Sequence, residues 1–198
     1  MMKKNMKEFV LSEITERIEL KKKVLSDSSL IDSIIEVSSL CIESLNAGNK
    51  IMLAGNGGSA GDSQHIAGEL VNRFHYDRDG LAAVALTTDT SVITAIANDY
   101  DYNQIFSRQI ESIGKLGDVF FGITTSGNSG NILEAAKAAN KLGVKVVGLT
   151  GESGGQLADL CDVVVAVPSG GTPEIQEIHL FIAHTVCSII ESEIFPRS

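Results

Sequence analysis

Past residue 48 the chain alternates between short, wholly apolar runs and longer segments of helical character. The apolar runs cover residues 51–54, 82–86, 119–123, 144–149 and 163–167. Runs of this length with no polar alternation read as strands buried on both faces, and interleaved helices join such strands in parallel. The pattern therefore predicts an α/β fold: a three-layer, five-stranded parallel sheet with helices on both faces. Ahead of it, Phe9, Val10, Ile14, Ile18 and Leu20 recur near helical spacing over 6–24, and a second helical pattern covers 30–45. At the far end, Ile175, Ile178, Ile182, Val186 and Ile189 stand three or four apart. They predict a long last helix over 173–193 whose apolar face packs on the sheet or on another subunit.

At 198 residues and 43% hydrophobic content the chain suits one substantial core. A single domain over 1–198 is expected, with N-terminal helices to about 48 and an α/β core from about 49. No repeat, low-complexity tract or Pro/Ser-rich linker marks a boundary. No apolar run has the length of a signal peptide or a membrane span, so a cytoplasmic protein is expected. Cys41, Cys161 and Cys187 are odd in number, lack CxxC spacing and sit among apolar residues, reading as reduced packing groups. The formal net charge of −9 argues against broad contact with nucleic acid or anionic lipid, which need a basic footprint. It leaves room for a small anion held locally by backbone dipoles at a helix start.

One loop is built for such an anion. The run 119–123 leads directly into Thr124-Thr125-Ser126-Gly127-Asn128-Ser129 and then into a helical pattern over 132–142. Ligands of parallel sheets collect at the carboxyl ends of strands, and here that end meets a helix N-terminus with free N–H groups. Four of the six residues carry hydroxyls, and Gly127 lets the backbone approach an anion closely. A plain N-cap at Asn128 or Ser129 is the blander reading; the hydroxyl density favours a phosphate seat. A second loop, Gly55-Asn56-Gly57-Gly58-Ser59-Ala60, matches the looser dinucleotide pattern. The acidic partner for that pattern, Asp89, comes roughly ten residues beyond the usual spacing of about 20, so dinucleotide binding is disfavoured.

His65 and Glu69 stand four apart in the next helical segment, so both project from one face. That spacing offers two ligands to one ion, and is equally a common surface ion pair. The last helix carries Gln176, His179 and His184 among apolar residues. Gln176 and His184 lie about 80° apart around the helix and roughly 12 Å along it, so sharing one ion needs a distorted turn or a neighbouring subunit. His179, on another face, reads as a packing or surface imidazole, and His75 as loop. An amide, imidazoles and a carboxylate beside a phosphate seat suit a phosphorylated sugar. Ketose–aldose isomerisation needs a base to lift a C–H proton next to the carbonyl, and an acid or metal to polarise the oxygen. Glu69 fits the base and His184 the proton relay.

These motifs resemble the sugar isomerase (SIS) family over essentially the whole chain to Glu193. The most specific parts are residues 55–60, the segment Gln64 to Leu70, Ala97-Asn98-Asp99, Ser126 to Ser129, and Ile175 to His179 with His184. The resemblance implies an aldose–ketose isomerase that converts sedoheptulose 7-phosphate to D-glycero-D-manno-heptose 7-phosphate through a cis-enediolate, for lipopolysaccharide core or capsule heptose. It implies one zinc per subunit on His65, Glu69, Gln176 and His184, with Glu69 and His184 catalytic. Asn56, Gly57, Gly58, Asn98, Asp99 and Ser129 are implied to meet the sugar, together with His65, Glu69 and Gln176. Thr124, Thr125 and Ser126 are implied to meet the phosphate. A carboxylate on zinc is a poorer base, so ligand and base are alternating roles of Glu69. The family further implies a homotetramer with sites at subunit interfaces. Residues 170–174 depart from the family's usual approach to the last helix. Two other SIS readings are an isomerase of another phosphosugar and a non-catalytic protein that associates with the bacterial replication initiator. The latter branch departs at the positions of Glu69 and His184, both kept here.

Overall fold

The computed structural model describes residues 2–197. Helices α1 (Met2–Ser26) and α2 (Ser28–Asn46) lead to β1 (Ile51–Gly55), α3 (Gly58–Val71), β2 (Ala83–Ala85), α4 (Thr90–Asp99) and α5 (Ser107–Ile113). Then follow β3 (Val119–Ile123), α6 (Gly130–Leu142), β4 (Lys145–Gly151), β5 (Val163–Val167) and α7 (Thr172–Ile194). The strands form one sheet in the order β2-β1-β3-β4-β5, and every neighbouring pair is parallel, as the apolar runs predict.

Successive strand residues point to opposite faces, and the core divides accordingly. Ile51, Leu53, Val119, Phe121, Ile123, Val147 and Leu149 join one cluster with residues of α2, α3 and α7, among them Val37, Leu70 and Ile182. Met52, Ala54, Phe120 and Val146 join a second with residues of α5 and α6, among them Ile110, Ile132 and Ala135. β1 and β3 are buried along their whole length, whereas the edge strands β2 and β5 are only partly so. Burial on both faces thus holds for the middle of the sheet, because the edges lie at the margin of the covering helices.

From β1 the chain moves to β2 on one side and returns to β3 on the other. That reversal opens a crevice at the carboxyl ends of β1 and β3, the point where ligands of doubly wound sheets bind. The loops 55–58 and 124–129 both leave the sheet there. Asp89, the residue a dinucleotide pattern needs, is instead the N-cap of α4, accepting the Val92 N–H at 3.0 Å.

α7 buries Ile175, Ile178, Ile182, Val186 and Ile190 within the chain, so the face ends on Ile190 rather than Ile189, continuing the i+4 steps from Ile182. It packs against α2, α3 and the sheet. α1 differs. Leu20 and Val24 are buried, but Phe9, Val10, Ile14 and Ile18 are 49–66% exposed, so the first half of the helix carries an apolar stripe that meets no core. Its charged flank does dock, Arg17 pairing with Glu174 at 3.1 Å and Glu177 at 3.2 Å on α7. No described helix is long and apolar enough to cross a membrane. The three cysteines are unpaired, and burial pushes each thiol up, which suits packing groups.

His179 proves to be a packing imidazole. It is buried, and its Nε2 lies 3.0 Å from the Thr150 carbonyl oxygen. A carbonyl only accepts, so Nε2 carries the hydrogen and donates. Burial lowers the His179 pKa to about 4, against the opposing hydrogen bond to Thr150. The unfolded chain takes up this proton near pH 6.5, while the folded chain refuses it until about pH 4. Stability is therefore complete above about pH 6.5 and declines as pH falls, by about 3 kcal/mol across that window. Urea midpoints measured between pH 4.5 and 7 are expected to show this slope in the wild type and a flatter one in His179→Gln; equal slopes would refute the assignment.

Candidate active site

α3 and α7 lie side by side and run the same way, because their contacts come in the same order along both. The start of α3 meets Gln176: a Cβ at Gly58 would fall on the Gln176 amide. One turn on, Asp62 accepts the Gln176 Nε2–H at 3.0 Å. Further along, His65 and Glu69 meet His184. The glycines of the loop 55–58 make this approach workable. Gly57 adopts φ 56°, and a Cβ at Gly55 would overlap the backbone of Ser59.

The Nε2 atoms of His65 and His184 are 2.8 Å apart, and Glu69 Oε1 is 3.4 Å from His65 Nε2. The three donor atoms lie within 4.8 Å of one another, all from one chain. Phe74 stacks on the His184 ring at 5.6 Å and 28°. Two imidazole Nε2 atoms at this distance either share one hydrogen, one donating and the other accepting, or both lack it and present two facing lone pairs. A cation takes both. Two imidazoles and a carboxylate are a zinc donor set, and bonds of about 2.0–2.1 Å set tetrahedral donors about 3.3 Å apart; the His65–Glu69 spacing of 3.4 Å matches this, and the two imidazole nitrogens sit closer, at 2.8 Å. Gln176, the fourth expected ligand, is turned to Asp62 through its Nε2. Burial holds the Asp62 carboxyl above the usual range, although the Gln176 amide and His65 pull it down.

A cavity of about 140 Å³ lies at the β1/β3 crevice, lined by Asn56, Gly58, Ser59, Thr124, Thr125, Ser126, Ser129 and Gln176 among others. Thr124 Oγ1 is 2.9 Å from Ser129 Oγ and 3.4 Å from Ser126 Oγ. Ser129 occupies the N-cap of α6, as the blander reading has it, but makes no side-chain cap bond; Ile132 N–H donates to the Ser129 carbonyl at 3.0 Å. Gly127 has a second, structural use. At φ 67° its Cα faces the Gly154 carbonyl so closely that a Cβ would overlap it, so the glycine seats one loop on another. Asn56 is locked by a two-way amide pair with Asn131 at 2.8 and 2.9 Å, and Tyr102 donates to its Oδ1 at 3.1 Å. Asn98 and Asp99, at the end of α4, bond to each other at 2.8 Å, stay exposed and do not line the cavity.

A family model described as the SIS domain matches residues 15–151. The chain belongs to the SIS domain family. Among SIS relatives, the phosphoheptose isomerase of Aneurinibacillus thermoaerophilus is 51% identical over 190 residues, 96% of either chain. Phosphoheptose isomerase 2 of Campylobacter jejuni is 48% identical over 193 residues, 98% of this chain and 96% of that one. The solved structure of the phosphoheptose isomerase from Neisseria gonorrhoeae superimposes with a TM-score of 0.88 at 41% identity, covering 94% of this chain and 99% of that one. The SIS match stops before α7, so the likeness that reaches Gln176 and His184 is the near-full-length one to these relatives. Several residues that shape this SIS site went unmarked by pattern: Asp62, Phe74, Arg78, Tyr102, Asn131 and Glu191. Each is a lone polar or aromatic residue, with no spacing to announce a partner far away in the chain.

Proposed function

We propose that the chain is a phosphoheptose isomerase, interconverting sedoheptulose 7-phosphate and D-glycero-D-manno-heptose 7-phosphate for bacterial surface heptose of a lipopolysaccharide core or capsule. The observation that carries the reading is the convergence of Glu69 and His184 beside a crevice whose wall is a hydroxyl-rich loop at a helix start without a side-chain cap bond. Near-full-length likeness to relatives of that name supports the substrate.

In this reading Thr124, Thr125, Ser126 and Ser129, with the first N–H groups of α6, take the phosphate, whose charge the helix dipole favours. Asn56, oriented by Asn131 and Tyr102, meets the sugar hydroxyls with Gly57, Gly58 and Gln176, and Asn98 and Asp99 approach from α4. Glu69 lifts a proton from C1, next to the C2 carbonyl. The electron pair forms the C1–C2 double bond, and O2 takes a proton relayed by His184, giving the cis-enediol. As C1=O forms, O1 returns its proton to His184 and Glu69 delivers its proton to C2. One proton has moved from C1 to C2 and one from O1 to O2, with no outside redox partner. Zinc, when held by His65, Glu69, Gln176 and His184, supplies Lewis-acid stabilisation of the negative charge on the sugar oxygens. Residues 1–198 act as one SIS domain in a homotetramer with sites at subunit interfaces, supported by the apolar stripe of α1 and the exposed ring of His65. Reduced cysteines support a cytoplasmic setting.

Purified protein given sedoheptulose 7-phosphate is expected to form the aldose, and Glu69→Gln to lose about 10²–10⁴-fold in kcat with Tm unchanged. Undiminished turnover in that variant would remove Glu69 as the base. Elemental analysis of protein prepared without chelator is expected to find about one zinc per chain; metal-free protein at full rate overturns the zinc assignment. Light scattering is expected to return the mass of about four chains, and a monomer at micromolar concentration sinks the tetramer.

A further inference from the structure

Two turns beyond His184, and nearly on the same face of α7, stands Glu191. It is a carboxylate at 1% exposure, and its partner Arg78 is at 2%. Buried charges at this depth are rare unless fully paired, and both are. Glu191 Oε1 accepts the Phe74 N–H at 2.8 Å and Arg78 Nε–H at 3.1 Å, while Oε2 accepts the His75 N–H at 2.7 Å. The Tyr76 hydroxyl donates to the Glu191 carbonyl at 3.0 Å. The far side of the guanidinium reaches α3, Nη2 donating to the Glu69 carbonyl at 2.8 Å and Nη1 to the Leu70 carbonyl at 2.7 Å. These are the last carbonyls of α3, where a cation is also favoured by the helix dipole.

One ion pair thus ties three things together: the backbone of Glu69 on α3, the α7 turn that follows His184, and the backbone of Phe74, whose ring lies on the His184 imidazole. We propose that Arg78 and Glu191 are positioning residues that set the Glu69 carboxylate and the His184 ring against each other. This rests on the isomerase reading above. The arrangement also explains why a chain would keep a buried pair whose burial raises the Glu191 carboxyl pKa, while the Phe74 and His75 N–H groups and Arg78 lower it to a net value below the usual range.

A purely structural pair and a positioning pair are separable, because apolar side chains of similar volume often replace a buried ion pair at no cost in stability. Arg78→Met and Glu191→Leu singly each leave a buried charge unpaired, and both are expected to lower Tm. The double variant is expected to regain most of that Tm, yet to keep kcat at least tenfold below wild type with KM within threefold, as a displacement near 1 Å costs up to about 10²-fold. Its His184 ring resonance, read by NMR without substrate, is expected to shift as the Phe74 ring moves. Wild-type kcat with an unshifted resonance in the double variant overturns the proposal. Should the double variant not fold, Arg78→Lys, which keeps the charge but not the fork, decides it by the same two readouts. A wild-type protein inactive on sedoheptulose 7-phosphate defeats the isomerase reading alone, and the resonance still decides the positioning.

Discussion

A sheet of parallel strands has to be covered on both faces, and that requirement organises everything else in this chain. It makes the central strands apolar throughout, splits the interior into two cores, and leaves no wet sheet surface on which to build chemistry. Polar function is pushed to the carboxyl ends of the strands, and the reversal between β1 and β3 leaves one crevice there. Its walls are a glycine-rich loop and a hydroxyl-rich loop because each has to begin a helix while facing open space.

The layers were legible in the sequence because hydrophobic periodicity is a local property. The apolar runs 119–123 and 163–167 coincide with β3 and β5, and the helical patterns lie within a few residues of α2, α6 and α7. Chemistry carried by spacing was legible too: His65 and Glu69 are one turn apart wherever the helix lies. His184 was harder, since its meeting with His65 spans more than a hundred residues, and the helix arithmetic that separates it from Gln176 pointed toward a second subunit. Within one chain Gln176 meets Asp62 while His184 meets His65, less than one turn further along α3. The apolar spacing in α1 marks a helix, but spacing says nothing of what covers it. Arg78 and Glu191 were invisible for a different reason: a buried ion pair has the same composition as two surface charges, and only tertiary structure tells them apart.

The electrostatics are local rather than global. A net charge of −9 repels anions at a distance, so a phosphate has to be won at close range, by N–H groups and hydroxyls that count only within a few ångströms. Such a seat gives little long-range steering and much geometric selectivity. The buried polar groups follow the same economy. Asp62, Asn131, His179 and Glu191 each sit at or below 8% exposure, and each is held by a named hydrogen bond.

The matched order of contacts along α3 and α7 has a consequence for how this site fails. Gly58 against Gln176, His65 against His184, and the Glu69 carbonyl linked through Arg78 to Glu191 act like teeth of two racks in mesh. Each tooth sits a different distance along the helices, so a small slide or tilt of one helix displaces all three contacts together. A disturbance at one end of the pair is thus felt at the other, and the site loosens as a unit rather than residue by residue.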